Sequence, residues 1–245
     1  MQTAYSTYDM VLAVLACGIA AAGLLLLVMA GPSYRIGLLS FGRATTMLQW
    51  GMYLGVVGVA VGGLAAALAY RRRTWVAVVT AAIACACSAA IWAVPFEWNR
   101  RARNAPPIHD VSTDLENPPS FEAILPLRAD AAAPLDRAPI VATHQREGYP
   151  DLAPVILPLP LDQAFTRALG AAQEAGWQIV TADKGSGRIE ATDTTAWFGF
   201  TDDIVVRLTP WGAGTRVDVR SVSRDREHDL GTNARRIRRY LAALP

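Results

Sequence analysis

Apolar positions are distributed unevenly along this chain. Nearly all the long apolar runs precede residue 97, and beyond it apolar and polar residues alternate at the periods of helices and strands. The windows 10–30, 48–70 and 74–96 are free of Asp, Glu, Lys and Arg. Each reaches the roughly 20 residues that a helix needs to cross a bilayer, so they predict three transmembrane helices. "MQTAYSTYD" has no basic residue, and the apolar stretch after it exceeds the core of a signal peptide, so the first helix is expected to be retained. Tyr34, Trp50, Tyr53, Tyr70, Trp75, Trp92 and Trp98 fall near the predicted ends, where rings with one polar edge suit the headgroup region.

Within the second window Gly51 and Gly55, then Gly58 and Gly62, recur four residues apart. Small residues at this spacing let another helix approach closely, either within the three-helix bundle, the favoured reading, or between copies of the chain. With no charge inside the windows, an ion path or proton relay through the membrane has no support.

Between Glu97 and Pro160 the chain carries eleven of its fifteen prolines. Proline removes a donor and holds its predecessor extended, which argues against a long regular helix here. Ile108, Phe121, Ile124, Leu125, Ile140 and Val141 punctuate the same segment and predict an arm draped over a folded domain. Beyond it, "PLDQAFTRALGAAQEAG" places Ala164, Phe165, Ala168, Leu169 and Ala172 at helical spacing and stops at Gly176. "WQIVTADKGSGRIEATD" and "DDIVVRLTPWGAGTRVDVRSVSR" each read as strand, turn, strand. They predict an antiparallel sheet of about four strands, or five with the run before the helix.

Alternation points Ile204, Val206, Leu208, Val217 and Val219 inward and Arg207, Arg216, Asp218 and Arg220 outward. Pairing Leu208 with Val217 sets Arg207 opposite Asp218, on a face expected to be solvated. The closing "DLGTNARRIRRYLAAL" predicts a helix capped by Thr232 or Asn233, with Ile237, Tyr240, Leu241 and Leu244 as its apolar stripe. Arg235, Arg236, Arg238 and Arg239 fill the remainder, either solvated or as a basic surface for anionic headgroups or a partner's carboxylates. The expected fold class is α+β: three N-terminal transmembrane helices, then a soluble antiparallel β-sheet domain with two amphipathic helices. The expected divisions are 1–98 for the membrane region, 99–154 for the Pro-rich extended arm and 155–245 for the soluble domain.

Composition removes several functions. Cys17, Cys85 and Cys87 all lie in apolar windows, so the soluble half has neither a disulfide nor a thiolate zinc site. A net charge of +2 and a membrane tether argue against nucleic acid as a partner. Counting arginines near the helix ends favours a cytoplasmic C-terminal half, although Arg71, Arg72 and Arg73 occupy a hairpin loop of minimal length.

The candidate chemistry is diffuse. Ser221 and Ser223 with His228 and Asp229 can be sketched as a nucleophilic set, but neighbours in one turn rarely converge and no nucleophile-elbow pattern occurs. Asp193, Asp202, Asp203 and Asp229, with His109, could serve hard cations, yet lack a calcium-loop or "HExxH" spacing. "DKGSGRIEA" reads as a hairpin turn and not as a phosphate loop. "TTAWFGFTDD" is a structural corner first: Phe198 and Phe200 share one face, Trp197 takes the other, and Gly199 permits a bend. Asp202 and Asp203 then serve as turn and ion-pair carboxylates for Arg220 or Arg224.

The strings "PPIHDVSTD", "NPPSF", "GRIEATDTTAWFGFTDDIVVRLTP", "VDVRSVSR" and "DLGTNARRI", in order over about 140 residues, resemble the family known as domain of unknown function 1499. One departure is local: family members carry a glycine in the turn that reads "SRDREHD" here, with Arg226 and His228. The resemblance implies a bacterial envelope protein, tethered by apolar segments or a lipoprotein-type signal, and tips the orientation towards a periplasmic C-terminal domain; with the three apolar windows the expected location is the bacterial inner membrane, multi-pass. From the matching positions come the candidate binding residues: Trp197, Phe198, Phe200, Asp202, Asp203, Arg207, Arg220, Ser223, Arg224, Asp229, Asn233 and Arg236. No catalytic residue, metal ligand or cofactor is assigned. The expected function is a membrane-anchored, non-catalytic binding or envelope-structural protein. Its expected partners are the lipid bilayer and either an envelope protein or a lipidic ligand. The alternatives are a hydrolase or metal-dependent enzyme using Asp202, Asp203, Arg220 and Arg224, and a module that binds lipid or another amphipathic ligand.

Overall fold

The computed structural model describes residues 2–129, 131, 135, 139–224 and 229–244. They form two compact units, residues 1–100 and 101–245.

The first unit consists of α1 (Gln2–Arg35), α2 (Phe41–Arg71) and most of α3 (Trp75–Asn104). Within them Thr7–Arg35, Phe41–Arg71 and Trp75–Arg100 are long and apolar enough to cross a membrane. Their large side chains point outward, as Leu24, Leu25, Val56, Leu64, Val79 and Ile83 do. The interior is made of alanine instead, with Ala13, Ala65, Ala69, Ala77 and Ala81 in contact. Lipid tails are as apolar as leucine, so close approach of small residues is what holds such a bundle. The glycine stripe serves this packing: a Cβ at Gly51 would stand 3.1 Å from the Gly23 oxygen of α1. One at Gly55 would stand 2.9 Å from the Ser88 oxygen and the Trp92 nitrogen of α3. Asp9 lies inside α1, fully buried, and accepts hydrogen bonds from Arg72 Nη1 and Thr74 Oγ1, both at 2.7 Å.

In the second unit the chain forms β1 (Asp110–Ser112), a 3-10 turn (Leu125–Arg128), α4 (Pro139–Gly148), β2 (Val155–Leu157), α5 (Leu161–Glu174), β3 (Gln178–Asp183), β4 (Arg188–Thr194), β5 (Thr201–Trp211), β6 (Gly214–Ser223) and α6 (Thr232–Ala242). The strand order is β1-β6-β5-β4-β3, all antiparallel, with β2 also on β6. The register sets Leu208 opposite Val217 and Arg207 opposite Asp218, as the alternation predicts. Among the described residues six strands form where four or five are expected. The extra one, β1, comes from the Pro-rich arm and is too short to show a period.

One face of the sheet packs Ile189, Ile204, Val206, Leu208, Val217 and Val219 against Phe165 and Ala168 of α5 and Ile237 and Tyr240 of α6. Gly176, at φ +80°, ends the α5 turn as its position suggests. The other face is not solvated, contrary to expectation. Phe121 and Ile124 of the arm cover Val205 and Val222, and Asp218 and Arg220 are buried beneath it. A proline-rich segment shows no helical or strand period, so its capacity to roof a sheet is invisible to periodicity.

Candidate functional site

Every buried charge on the roofed face has a partner, and most of these pairs tie the arm to the sheet. Arg220 donates from Nε and Nη2 to both oxygens of Asp110, at 3.0 and 2.8 Å, and to the carbonyls of Pro119 and Leu135. Its guanidinium also lies 5.5 Å from the centre of the Phe121 ring. Asp203, fully buried, is held between Arg224 and Arg128 of the 3-10 turn, and Arg128 also reaches the Ser223 carbonyl at 3.3 Å. Arg207 and Arg216 share Asp114 and Asp218. Burial pushes the Asp114 carboxyl up, but the backbone N–H groups of Asn117 and Glu116 and both guanidinia outweigh it, leaving its pKa below the ordinary value. Glu190, fully buried, accepts the N–H groups of Glu122 and Ile124 at 2.8 and 2.9 Å.

Two expectations change here. Arg220 pairs with Asp110 and not with Asp202 or Asp203, because β1 lies beside β6 and brings Asp110 opposite Val222. Asp202 and Asp203 lie inside β5 and not in a turn. Arg128, Glu190 and Gln145 escaped sequence reading. Gln145 of α4 clamps the backbone of Ser112 from both sides, through Oε1 at 3.0 Å and Nε2 at 2.6 Å. The available signal was a lone arginine in "ILPLRA" and a carboxylate amid strand residues in "GRIEA".

At the start of α6, Gly231 occupies the cap position with φ +75° and no side-chain cap. Asp229 does the capping instead of Thr232 or Asn233, accepting the N–H groups of Gly231 and Asn233 at 2.8 and 2.7 Å. Asn233 faces inward: Oδ1 accepts from Ser221 Oγ at 2.7 Å, and Nδ2 donates to Ser223 Oγ and to the His109 carbonyl. Arg236 likewise leaves the basic surface. It is buried against Asp202 at 2.7 Å and Asp193 at 2.9 Å. Arg226 and His228 lie outside the described residues; of the other members of the nucleophilic sketch, Ser221 and Ser223 are engaged by Asn233 and Asp229 caps α6.

The aromatic corner is the β4–β5 connection. Phe198 and Phe200 stack at 5.3 Å, nearly parallel, on one face as expected. Trp197 does not take the opposite face; it meets Phe198 edge-on at 4.9 Å. Residues 196–198 form a turn that ends at Gly199, φ +74°, so the alternation of a strand does not extend to Trp197. Phe200 is buried, and Trp197 and Phe198 are half-buried.

A cleft of about 330 Å³ opens between α5 and α6. Its floor is the stacked pair Trp177–Tyr240, ring centres 4.7 Å apart, and Glu174, Asp193, Arg236 and Arg239 stand around it. Burial pushes the Tyr240 hydroxyl up; it donates to the Ala168 carbonyl at 2.9 Å. The cleft offers an apolar base with charges of both signs at its rim. Among the described residues no three His, Cys, Asp or Glu side chains gather as a metal site.

No curated protein and no solved structure matches the sequence. The family model described as "Protein of unknown function (DUF1499)" matches residues 110–244, more than half of the chain and nearly all of its second unit, and the chain belongs to that family.

Proposed function

We propose that this protein is a membrane-anchored, non-catalytic binding module whose second unit takes an amphipathic ligand in the cleft between α5 and α6. One observation carries the reading: Asp202 and Asp203 are fully buried and each is engaged by arginine. A general base or nucleophile must reach its substrate, and a carboxylate sealed under a guanidinium does not. The same burial weighs against a hydrolase or metal-dependent enzyme built on Asp202, Asp203, Arg220 and Arg224. An apolar aromatic floor with a charged rim suits a molecule with one greasy and one polar end.

The test compares lipid stoichiometry by native mass spectrometry for the full chain and for Ala243→Trp, which fills the cleft from its rim. Retention of one amphiphile by the parent and its loss from the variant is the expected result. Equal stoichiometry would sink the ligand reading. Turnover in a broad hydrolase screen, lost in Asp202→Asn with the thermal melt unchanged, would replace it with an enzyme.

For location we take a multi-pass protein of the bacterial inner membrane with the second unit in the periplasm. The apolar spans support the membrane part, and the side follows the family resemblance against the arginine count. Paired reporters at the C-terminus decide it: an active cytoplasmic reporter and a silent periplasmic one would reverse the side.

A further inference from the structure

Within the first unit the charges at one end of the helices do not balance. Asp9 is the only acidic residue before Glu97, whereas Arg71, Arg72 and Arg73 follow one another at the α2–α3 turn. The fully buried Asp9 carboxylate accepts from Arg72 Nη1 and Thr74 Oγ1, both at 2.7 Å, which brings the start of α1 to this turn. Three arginines against one carboxylate leave an excess of two positive charges. Arg71 and Arg73 carry it: both are exposed, and neither guanidinium has a carboxylate partner among the described residues.

The backbone of the turn is strained at Arg73. Its φ is +61°, its N–H donates to the Tyr70 carbonyl, and that of Thr74 donates to the Ala69 carbonyl. Helices commonly end in this way on a left-handed residue, a position that glycine fills without strain and other residues rarely take. Arginine is held there although its side chain makes no ion pair that would offset the strain. The turn joins the spans Phe41–Arg71 and Trp75–Arg100 through three residues, which confines it to the surface of the bilayer those spans cross. Tyr70 and Trp75, 62% and 59% exposed, meet edge to face at 5.7 Å beside the arginines, and amphipathic rings of this kind settle among lipid headgroups.

We propose that the α2–α3 turn binds the phosphate of an anionic phospholipid, held by Arg71 and Arg73 while Arg72 stays with Asp9. A guanidinium presents a planar fork of donors that matches phosphate oxygens, and basic residues at the end of a span are attracted to acidic lipid. Because Asp9 is sealed by Arg72 and Thr74, its charge does not oppose the phosphate. A zwitterionic lipid carries its own ammonium group, so it gains less from the two arginines. This inference rests on the membrane anchorage in the reading above and uses neither the cleft nor the side on which the second unit lies.

The test titrates the delipidated full chain, in a neutral maltoside detergent, with phosphatidylglycerol or with phosphatidylcholine of the same acyl chains. Native mass spectrometry counts the bound lipid. Phosphatidylglycerol should bind the more tightly, and Arg71→Gln with Arg73→Gln should weaken it by roughly 25-fold, about fivefold for each arginine, with the helical signal unchanged. Arg35→Gln with Arg43→Gln, which removes the same charge from the opposite end of α2, should leave binding near the parent value. Equal affinity of the parent for the two lipids would overturn the proposal, and so would equal weakening by the two pairs of substitutions. Displacement of the lipid by an equal concentration of glycerol 3-phosphate would overturn it in favour of a soluble phosphate. The effect of the 71/73 pair should persist in Ala243→Trp, where the cleft is filled; its disappearance there would put the lipid in the cleft and overturn the proposal. Equal lipid stoichiometry in the cleft experiment leaves the 71/73 effect untouched, so the two readings fail separately.

Discussion

Asp203 and Asp202 are adjacent in sequence and equally buried, yet they should respond differently to loss of charge. Asp203→Asn leaves both Arg128 and Arg224 against a neutral amide, with the Arg128 side chain only 4% exposed. An uncompensated buried charge costs about 3–5 kcal/mol. In Asp202→Asn, Arg236 keeps Asp193, so the loss should be smaller. Urea unfolding followed by tryptophan fluorescence ranks the two, and equal losses would contradict the pairing. Replacing the Asp203–Arg128 pair by leucine and methionine should recover most of the stability, since Arg224 is exposed enough to turn to water.

Tyr149 gives a pH signature at the same scale. Burial, with the Asp229 carboxylate nearby, pushes its hydroxyl up to about 12, and that hydroxyl has no hydrogen-bond partner among the described residues. The folded pKa lies above the unfolded value of about 10, so the stabilisation is complete below pH 10. It is lost as pH rises towards 12, where only the unfolded chain has ionised. Tyr149→Phe should therefore melt like the parent near neutrality and lose less stability between these pH values. Part of the alkaline slope should persist through Tyr240, whose hydroxyl burial also pushes up.

Between α2 and α3 the helix spacing is set by glycine. Gly55→Ala drives a methyl into the backbone of α3 at 2.9 Å, where neither partner can rotate away. Overpacking of this kind costs about 1–3 kcal/mol. Gly63→Ala, with nothing within 4 Å, should be neutral. Unfolding in mixed micelles compares them, and equal behaviour would remove the glycine stripe from helix packing. This stripe was legible in the sequence because its four-residue spacing is itself the helical contact pattern. The two hairpins were legible for the same reason, down to the pairing of Arg207 with Asp218. The roof over the second sheet face was not. Its contacts join residues such as Asp110 and Arg220, 110 positions apart, through a segment without periodicity. The outward-alternating charges thus looked solvated, and Arg236 looked like part of a basic surface, because burial from a distant arm leaves no local trace. In the candidate site, sequence supplied Asp203 and Arg224 as partners but could not choose Asp110 for Arg220.

At the scale of the whole molecule the two units are held by different solvents. The alanine-lined helices carry their large apolar side chains outward, so a bilayer stabilises them and urea, which acts through water-exposed surface, has little purchase. The second unit buries one core between sheet and helices and another between sheet and arm, both of which open to water on unfolding. In nanodiscs, urea should therefore produce one cooperative loss of the sheet signal together with the fluorescence of Trp177, which is stacked on Tyr240. Most of the helical signal from α1, α2 and α3 should persist beyond that transition. Circular dichroism and fluorescence recorded across the same titration provide the check. Complete loss of helicity at the midpoint of the sheet would mean that the helices depend on the second unit for their fold. Persistence would identify the bilayer, and the small-residue contacts within it, as sufficient to hold them.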